Sequence, residues 1–323
     1  MFRTRMLRSL LALALLLAGS AAQAQGYPQR PVRVYIAFAA GGLADIIARA
    51  LTDRMSGALG QPFVLENRPG AGGNLAMEAG ARAAPDGHTL VMVGPAAAIN
   101  GTLYKKLSYN PGTDLAPISL MGWGPYAMYV SATLPVTSAG EFIAYARSRP
   151  GKLNYASVGI GSGGHLTAVL FALAAGLDMT HVPYKGIQPA APDLVSGEVQ
   201  LVFNAFGPLN AFVQSGKIRL VGVTSATRLA QYPEVPTVAE SGLPGFEAAG
   251  WYMLFAPAGT PREVLERLNA ELRAAIAHRE TFERINKTGM RPVGQTLDEA
   301  AQFLARETEK WGRAVKASGA SAE

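Results

Sequence analysis

Val32-Arg-Val-Tyr-Ile-Ala-Phe38 runs directly into Ala39-Ala-Gly-Gly42, and Leu43, Ile46, Ile47, Ala50, Leu51, Met55 and Leu59 follow. The first run is apolar and rich in β-branched residues, as a strand is. The last set recurs at i, i+3, i+4 and i+7, the period of an amphipathic helix. A strand, a tight glycine turn and a helix in that order predict one βα unit. The turn leaves backbone N–H groups unpaired at a helix N-terminus, where the helix dipole adds roughly half a positive charge. A second turn of this kind, Gly159-Ile-Gly-Ser-Gly-Gly164, lies between an apolar run over 153–158 and a helical pattern over 164–175.

Outward from these turns the alternation continues. Phe63-Val-Leu-Glu66 and 89–93 read as strands on either side of a helix ending near residue 84, and 180–184, 199–203 and 218–224 read as strands further on. Such βα alternation predicts an α/β fold with mostly parallel sheets flanked by helices. Ser138-Ala-Gly-Glu141 has the form of a capping box, Thr296-Leu-Asp-Glu299 reads as the start of the last helix, and Thr260-Pro-Arg-Glu263 combines an N-cap, a Pro at N1 and a Glu at N3. The apolar face of the last helix is Ala300, Phe303, Leu304, Trp311 and Val315. Two extended apolar runs, 126–130 and 251–256, fit neither set of units and read as two strands crossing between two lobes. The expected organisation is a leader at 1–24, a first lobe of 25–126 plus 252–323, and a second lobe of 127–251.

Composition narrows the function. Arg3, Arg5 and Arg8, an apolar stretch over 10–18 and Ala22-Gln23-Ala24 have the layout of a cleavable secretory leader. The apolar stretch is shorter than the ~20 residues of a membrane span. There is no cysteine, so disulfides, thiolate metal sites, a cysteine nucleophile and a lipidated N-terminal cysteine are all excluded. The formal charge of +6 includes the three leader arginines, and the remaining Lys and Arg are scattered rather than striped as nucleic-acid binding requires. A chain of 323 residues is generous for one core, so two domains are the default.

Seven short motifs then occur in order: Tyr27-Pro-Gln-Arg-Pro31, Ala39-Ala-Gly-Gly-Leu-Ala-Asp45, Glu66-Asn-Arg-Pro-Gly-Ala-Gly-Gly73, Pro85-Asp-Gly-His-Thr-Leu90, Gly161-Ser-Gly-Gly-His-Leu166, His181-Val-Pro-Tyr-Lys-Gly186 and Phe255-Ala-Pro-Ala-Gly-Thr-Pro261. Together they resemble the substrate-binding proteins of tripartite tricarboxylate transporters, the Bug family, over essentially the whole chain after the leader. The resemblance implies a two-lobed periplasmic binding protein of the type II "Venus flytrap" class that delivers a carboxylated solute to membrane permease subunits. It also implies that the carboxylate is held by the loop from Ala39 to Asp45 and by the loop from Ser157 to His165. Leu43 departs from the small polar residue or Pro common in the family, and Asn204 stands where Asp is frequent.

The candidate binding residues follow from both readings. Phe38, Ala39, Ala40, Gly41, Gly42, Ala44 and Asp45 form the first loop, with no Lys or Arg, so an anion there rests on amides and dipole. Asp45 reads as a dipole partner that orders the loop, since its charge would repel a carboxylate. Gly94, Pro95 and Ala96 end a strand and line the cleft from the first lobe. Ser157, Gly161, Ser162 and His165, with Asn204 and Ala205, line it from the second. Gly159-x-Gly161-x-x-Gly164 also satisfies the dinucleotide fingerprint, but the next strand ends in Lys185-Gly186 where an acidic residue would hold a ribose. Ser162 lacks the Gly two residues earlier that a nucleophile elbow requires. None of the four histidines forms an i, i+4 pair, so no metal is expected. The expected function is therefore non-catalytic, cofactor-free binding of a small carboxylate by a monomer. The alternatives from other classes are an exported hydrolase using Ser162 and a periplasmic sensor that docks on a signalling receptor.

Overall fold

A computed structural model describes residues 26–319 and 321–322. The leader expected over 1–24 lies outside the described residues. In chain order the elements are β1 (Val32–Ile36), α1 (Leu43–Leu59), β2 (Phe63–Asn67), a 3-10 turn (Ala71–Gly73), α2 (Asn74–Ala81), β3 (Thr89–Val93), α3 (Ala96–Leu103), β4 (Leu115–Pro125) and β5 (Ala127–Ser131). They continue as α4 (Ala139–Arg147), β6 (Leu153–Ser157), α5 (Gly163–Ala175), β7 (Met179–Pro183), α6 (Ile187–Ser196), β8 (Leu201–Asn204), α7 (Asn210–Gln214) and β9 (Ile218–Val223). The chain ends with β10 (Ala249–Pro257), α8 (Arg262–Ala277), α9 (Arg279–Asn286), β11 (Arg291–Pro292) and α10 (Leu297–Ser318).

The strands form two sheets, ordered β11-β4-β10-β3-β1-β2 and β7-β6-β8-β5-β9. β1 is parallel to β2 and β3, and β6 is parallel to β7 and β8. β10 runs antiparallel to β3 and β4, and β5 runs antiparallel to β8 and β9. Both reversed strands have the same cause. The chain leaves each sheet at the carboxyl ends of its strands and enters the other sheet from that same side, so the first strand after each passage must run against its neighbours. This connectivity directs the carboxyl ends of β1, β3, β6 and β7 towards the join between the halves, where ligands of open α/β sheets bind.

Alternation along β1 shows why helices cover both faces. Val34 and Ile36 pack with Ile47, Leu51, Leu268 and Leu272, from α1 and α8. Tyr35 belongs to the opposite layer with Met77, Ile99 and Trp311, from α2, α3 and α10. In the second sheet Phe142 and Phe171 cover one face, and Ala190 and Leu194 the other. The indole N–H groups of Trp251 and Trp311 both donate to Glu307 Oε2 at 2.9 Å, which ties α10 to β10.

Each extended run begins at a passage. Tyr126 is the single residue between β4 and β5, and Ala249, which opens β10, pairs with Pro125. Two capping expectations need correction. Thr260 is not an N-cap: its hydroxyl donates to Pro257 O at 2.8 Å, and Pro261 caps α8. Ser138 does cap α4, but the Thr137 amide, at 2.6 Å, is the main backbone donor to Glu141, so the box is displaced by one residue. At α10 both halves of the Thr296–Glu299 capping box are formed. Among the described residues no helix is long and apolar enough to cross a membrane.

Candidate functional site

The first loop turns at Gly41, whose φ of +76° is a left-handed conformation that favours glycine. Gly42 is the extended N-cap of α1, and Asp45 is the third residue of the helix. Asp45 is buried, with its oxygens turned inward. It accepts from the Gly41 amide at 3.1 Å, from Arg49 Nε at 2.9 Å and Nη2 at 3.1 Å, and from Asn67 Nδ2 at 3.2 Å. Burial opposes its ionisation, but the hydrogen bonds from Arg49, the Gly41 amide and Asn67 outweigh it and hold the carboxyl below its ordinary value. Asn67 Nδ2 also donates to Phe38 O at 3.0 Å, so this network fixes the whole loop from beneath. The amides of Gly42, Leu43 and Ala44, at the start of α1, have no intrahelical partner. The Ala44 methyl itself is packed in the core.

The second loop is built alike. Gly161 has φ +79°, Ser162 is the extended N-cap of α5, and His165 is its third residue. Ser162 Oγ accepts from the His165 amide at 3.3 Å, and His165 Nδ1 accepts from the Gly161 amide at 3.2 Å. Ser157 Oγ accepts from the Gly159 amide at 3.1 Å and lies 2.7 Å from His181 Nε2. The His165 and His181 rings stack with centroids 4.0 Å apart, and Tyr155 stacks on His181 at 5.0 Å. The amides of Gly163 and Gly164 open α5 and have no backbone partner. The expected site residues therefore divide by role. Asp45, Ser157 and Ser162 accept hydrogen bonds that order the loops, and His165 Nδ1 accepts the Gly161 amide.

Each loop meets the opposite half across the join, the first against the start of α6 and the second against the 3-10 turn and the start of α3. A Cβ on Gly186, the N-cap of α6, would lie 3.9 Å from the Ala39 Cβ, and one on Gly163 would lie 3.0 Å from Pro95 Cγ and 1.9 Å from the Tyr126 hydroxyl. A Cβ on Gly72 would lie 2.0 Å from Ile160 O, and one on Gly161 would lie 2.6 Å from Asn100 Oδ1. The halves are thus in contact, and the N-termini of α1, α3, α5 and α6 meet pairwise. Phe38 and Tyr252 meet edge to face at 5.4 Å, and a Cβ on Gly94 would lie 3.4 Å from Phe38 Cζ. Ala96 is buried in the core, while Asn204 and Ala205 are half-buried at the end of β8. Gly72, Asn100, Gly186, His181 and Tyr252 were not among the sequence candidates. Of these, the run Gly70-Ala-Gly-Gly73 carried the one local signal, a glycine cluster without a phosphate-binding Lys. A surface concavity of about 410 Å³ at Val293, Gly294, Gln295, Glu299, Gln302 and Arg306 shares no residue with either loop.

Burial, joined by the neighbouring His181, pushes His165 down from 6.5 to about 3, and burial pushes His181 down to about 4. Both rings are neutral at neutral pH. Below pH 6.5 the unfolded chain gains protons that the folded one refuses. The stability this pair contributes is therefore complete above that pH and is lost as pH falls towards the folded values. Between about pH 6.5 and 4.5, stability should fall by up to ~1.4 kcal/mol per pH unit for each proton. The slope of melting temperature against pH should be shallower in His165→Asn. Identical slopes in the two proteins would remove the histidine pair as the cause.

Two α/β halves joined by two chain passages, with facing helix N-termini and no cation in either glycine turn, define a two-lobed solute-binding protein. The model of the tripartite tricarboxylate transporter family receptor matches residues 47–320, and the chain belongs to that family. It is similar to a solved Rhodopseudomonas palustris protein, Rpa4515 with adipate, at 34% identity and a TM-score of 0.86, covering 91% of this chain and 99% of that one. MatC of Rhodopseudomonas palustris with bound malate is 34% identical with a TM-score of 0.82, over 90% of this chain and 100% of that one. The periplasmic binding protein BugD is 32% identical with a TM-score of 0.85, over 92% and 100%.

Proposed function

We propose that this chain binds a small carboxylate between its two halves in the periplasm and delivers it to the membrane subunits of a tripartite tricarboxylate-type transporter. One observation carries the reading: each half brings a positive-φ glycine turn to the join, each opening a helix whose first amides are unpaired, with no Lys or Arg in either. Each helix terminus contributes roughly 0.3–1 kcal/mol to an anion beyond the direct hydrogen bonds. Adipate with Rpa4515 and malate with MatC support a carboxylate as the class of ligand. The halves built on the two sheets close as bodies about Tyr126 and Ala248, the leader is removed on export, and the mature protein acts as a monomer without catalysis. Ser162 serves as a helix cap, which supports binding over hydrolysis.

A thermal-shift series with adipate, malate and their diamides tests this. A ligand at 100 times its Kd adds about 2.7 kcal/mol, so the acids should raise the melting temperature and the amides should not. A flat response to every acid would sink the reading. Gly42→Val refines it. Gly42 has φ −79°, which a side-chain-bearing residue adopts, and a Cβ there meets only Ala39 O, at 3.4 Å, so the added side chain crowds the approach of an anion to the α1 amides. The shift should vanish while the ligand-free melting temperature stays within a few degrees. An undiminished shift would move the carboxylate away from α1.

A further inference from the structure

The two anion loops are the same device closed by different acceptors. In each, a left-handed glycine precedes the N-cap, and the third helical residue turns its side chain back to accept that glycine's amide: Asp45 from Gly41 at 3.1 Å, His165 from Gly161 at 3.2 Å. The difference is charge. Asp45 is ionised, and Arg49, one turn on, neutralises it through two hydrogen bonds. The position one turn beyond His165 is Val169, so a carboxylate at 165 would have no guanidinium on its own helix. His181 and Tyr155 cover the imidazole, and His181 also holds Ser157, which in turn holds the Gly159 amide.

We infer that His165, through Nδ1, is a positioning residue for the ligand: it is the uncharged counterpart of the Asp45–Arg49 pair. It fixes the amides of the second loop through Gly161 while placing no negative charge behind an incoming carboxylate. The same loop geometry is thus produced twice, and in each case the net charge facing the anion is zero. This rests on the carboxylate reading proposed above.

Asp45 shows that a side chain of its length at this helical position reaches the glycine amide, so Asn and Asp both fit the test at 165. Binding of adipate and malate is measured by calorimetry at neutral pH for wild type, His165→Asn, His165→Asp and His165→Leu, alongside hydrogen exchange of the Gly161 amide. His165→Asn should bind within about threefold of wild type, whereas His165→Leu and His165→Asp should each lose tenfold or more. The Gly161 amide should be protected in wild type, Asn and Asp, and unprotected in Leu. Leu binding like wild type, Asp binding like Asn, or Asn binding as poorly as Leu would each overturn the inference. So would rapid exchange at Gly161 in the wild type. If wild type binds neither acid, the carboxylate reading fails for these ligands, and the exchange pattern alone still decides whether His165 holds the loop.

Discussion

Replacing Gly72 with alanine should lower carboxylate affinity by about a hundredfold, or ~2.7 kcal/mol, while both halves stay folded. Gly72 lies in the 3-10 turn with φ 60°, and a Cβ there would sit 2.0 Å from Ile160 O and 3.1 Å from the Tyr104 hydroxyl. Ile160 belongs to the second half, and backbone oxygen cannot yield as a flexible side chain does. The halves must part by about an ångström or more to restore ordinary van der Waals separation. A ligand gripped from both sides then keeps only the contacts of one, and closure is driven by contacts made in the closed form alone. Calorimetry with adipate or malate reads the loss. Gly57→Ala is the control, since nothing lies within 4 Å of its added methyl. Wild-type affinity in Gly72→Ala would show that the contact with Ile160 plays no part in binding.

The second large effect belongs to Thr224, where both passages between the halves are joined. Its buried hydroxyl accepts from the Tyr126 amide at 2.7 Å and donates to Ala248 O at 2.6 Å. Its own backbone donates to Tyr126 O at 2.9 Å and accepts from the Ala248 amide at 3.0 Å. Thr224→Val keeps the shape but strands a buried N–H and a buried C=O, each worth about 1–3 kcal/mol. We expect a loss of about 3 kcal/mol and a melting temperature lower by several degrees. Thr224→Ser keeps the hydroxyl and should recover most of the loss. Equal melting temperatures for Val and wild type would mean that water or a backbone shift satisfies the two groups.

Much of the fold is legible because its signals are short. The heptad-like apolar set of α1, the β-branched runs of β1 and β3, and the caps at Ser138 and Thr296 act over a few residues, and each appears where its pattern points. Two elements carried no such pattern. β4 contains Pro117, Gly122 and Gly124, which spoil alternation. It is a strand because β10 pairs along it, and the glycines admit Met290 and Gly289 O against its surface. α3 is buried at six of its eight positions, so it has no polar stripe to reveal a helical period.

The candidate site divides in the same way. Both glycine turns, and the strands and helices on either side of them, were determined by the sequence alone, since left-handed backbone and apolar periodicity are local properties of the chain. The tertiary structure decided which amides remain for a ligand. Arg49 and Asn67 hold Asp45 under the Gly41 amide, and the stack of Tyr155 and His181 holds His165 beneath Gly161. It also decided that Gly72 meets Ile160 and that Thr224 joins Tyr126 to Ala248. Those contacts pair residues far apart in sequence, and their energy is realised only when the two sheets are built and brought together; no local pattern encodes it.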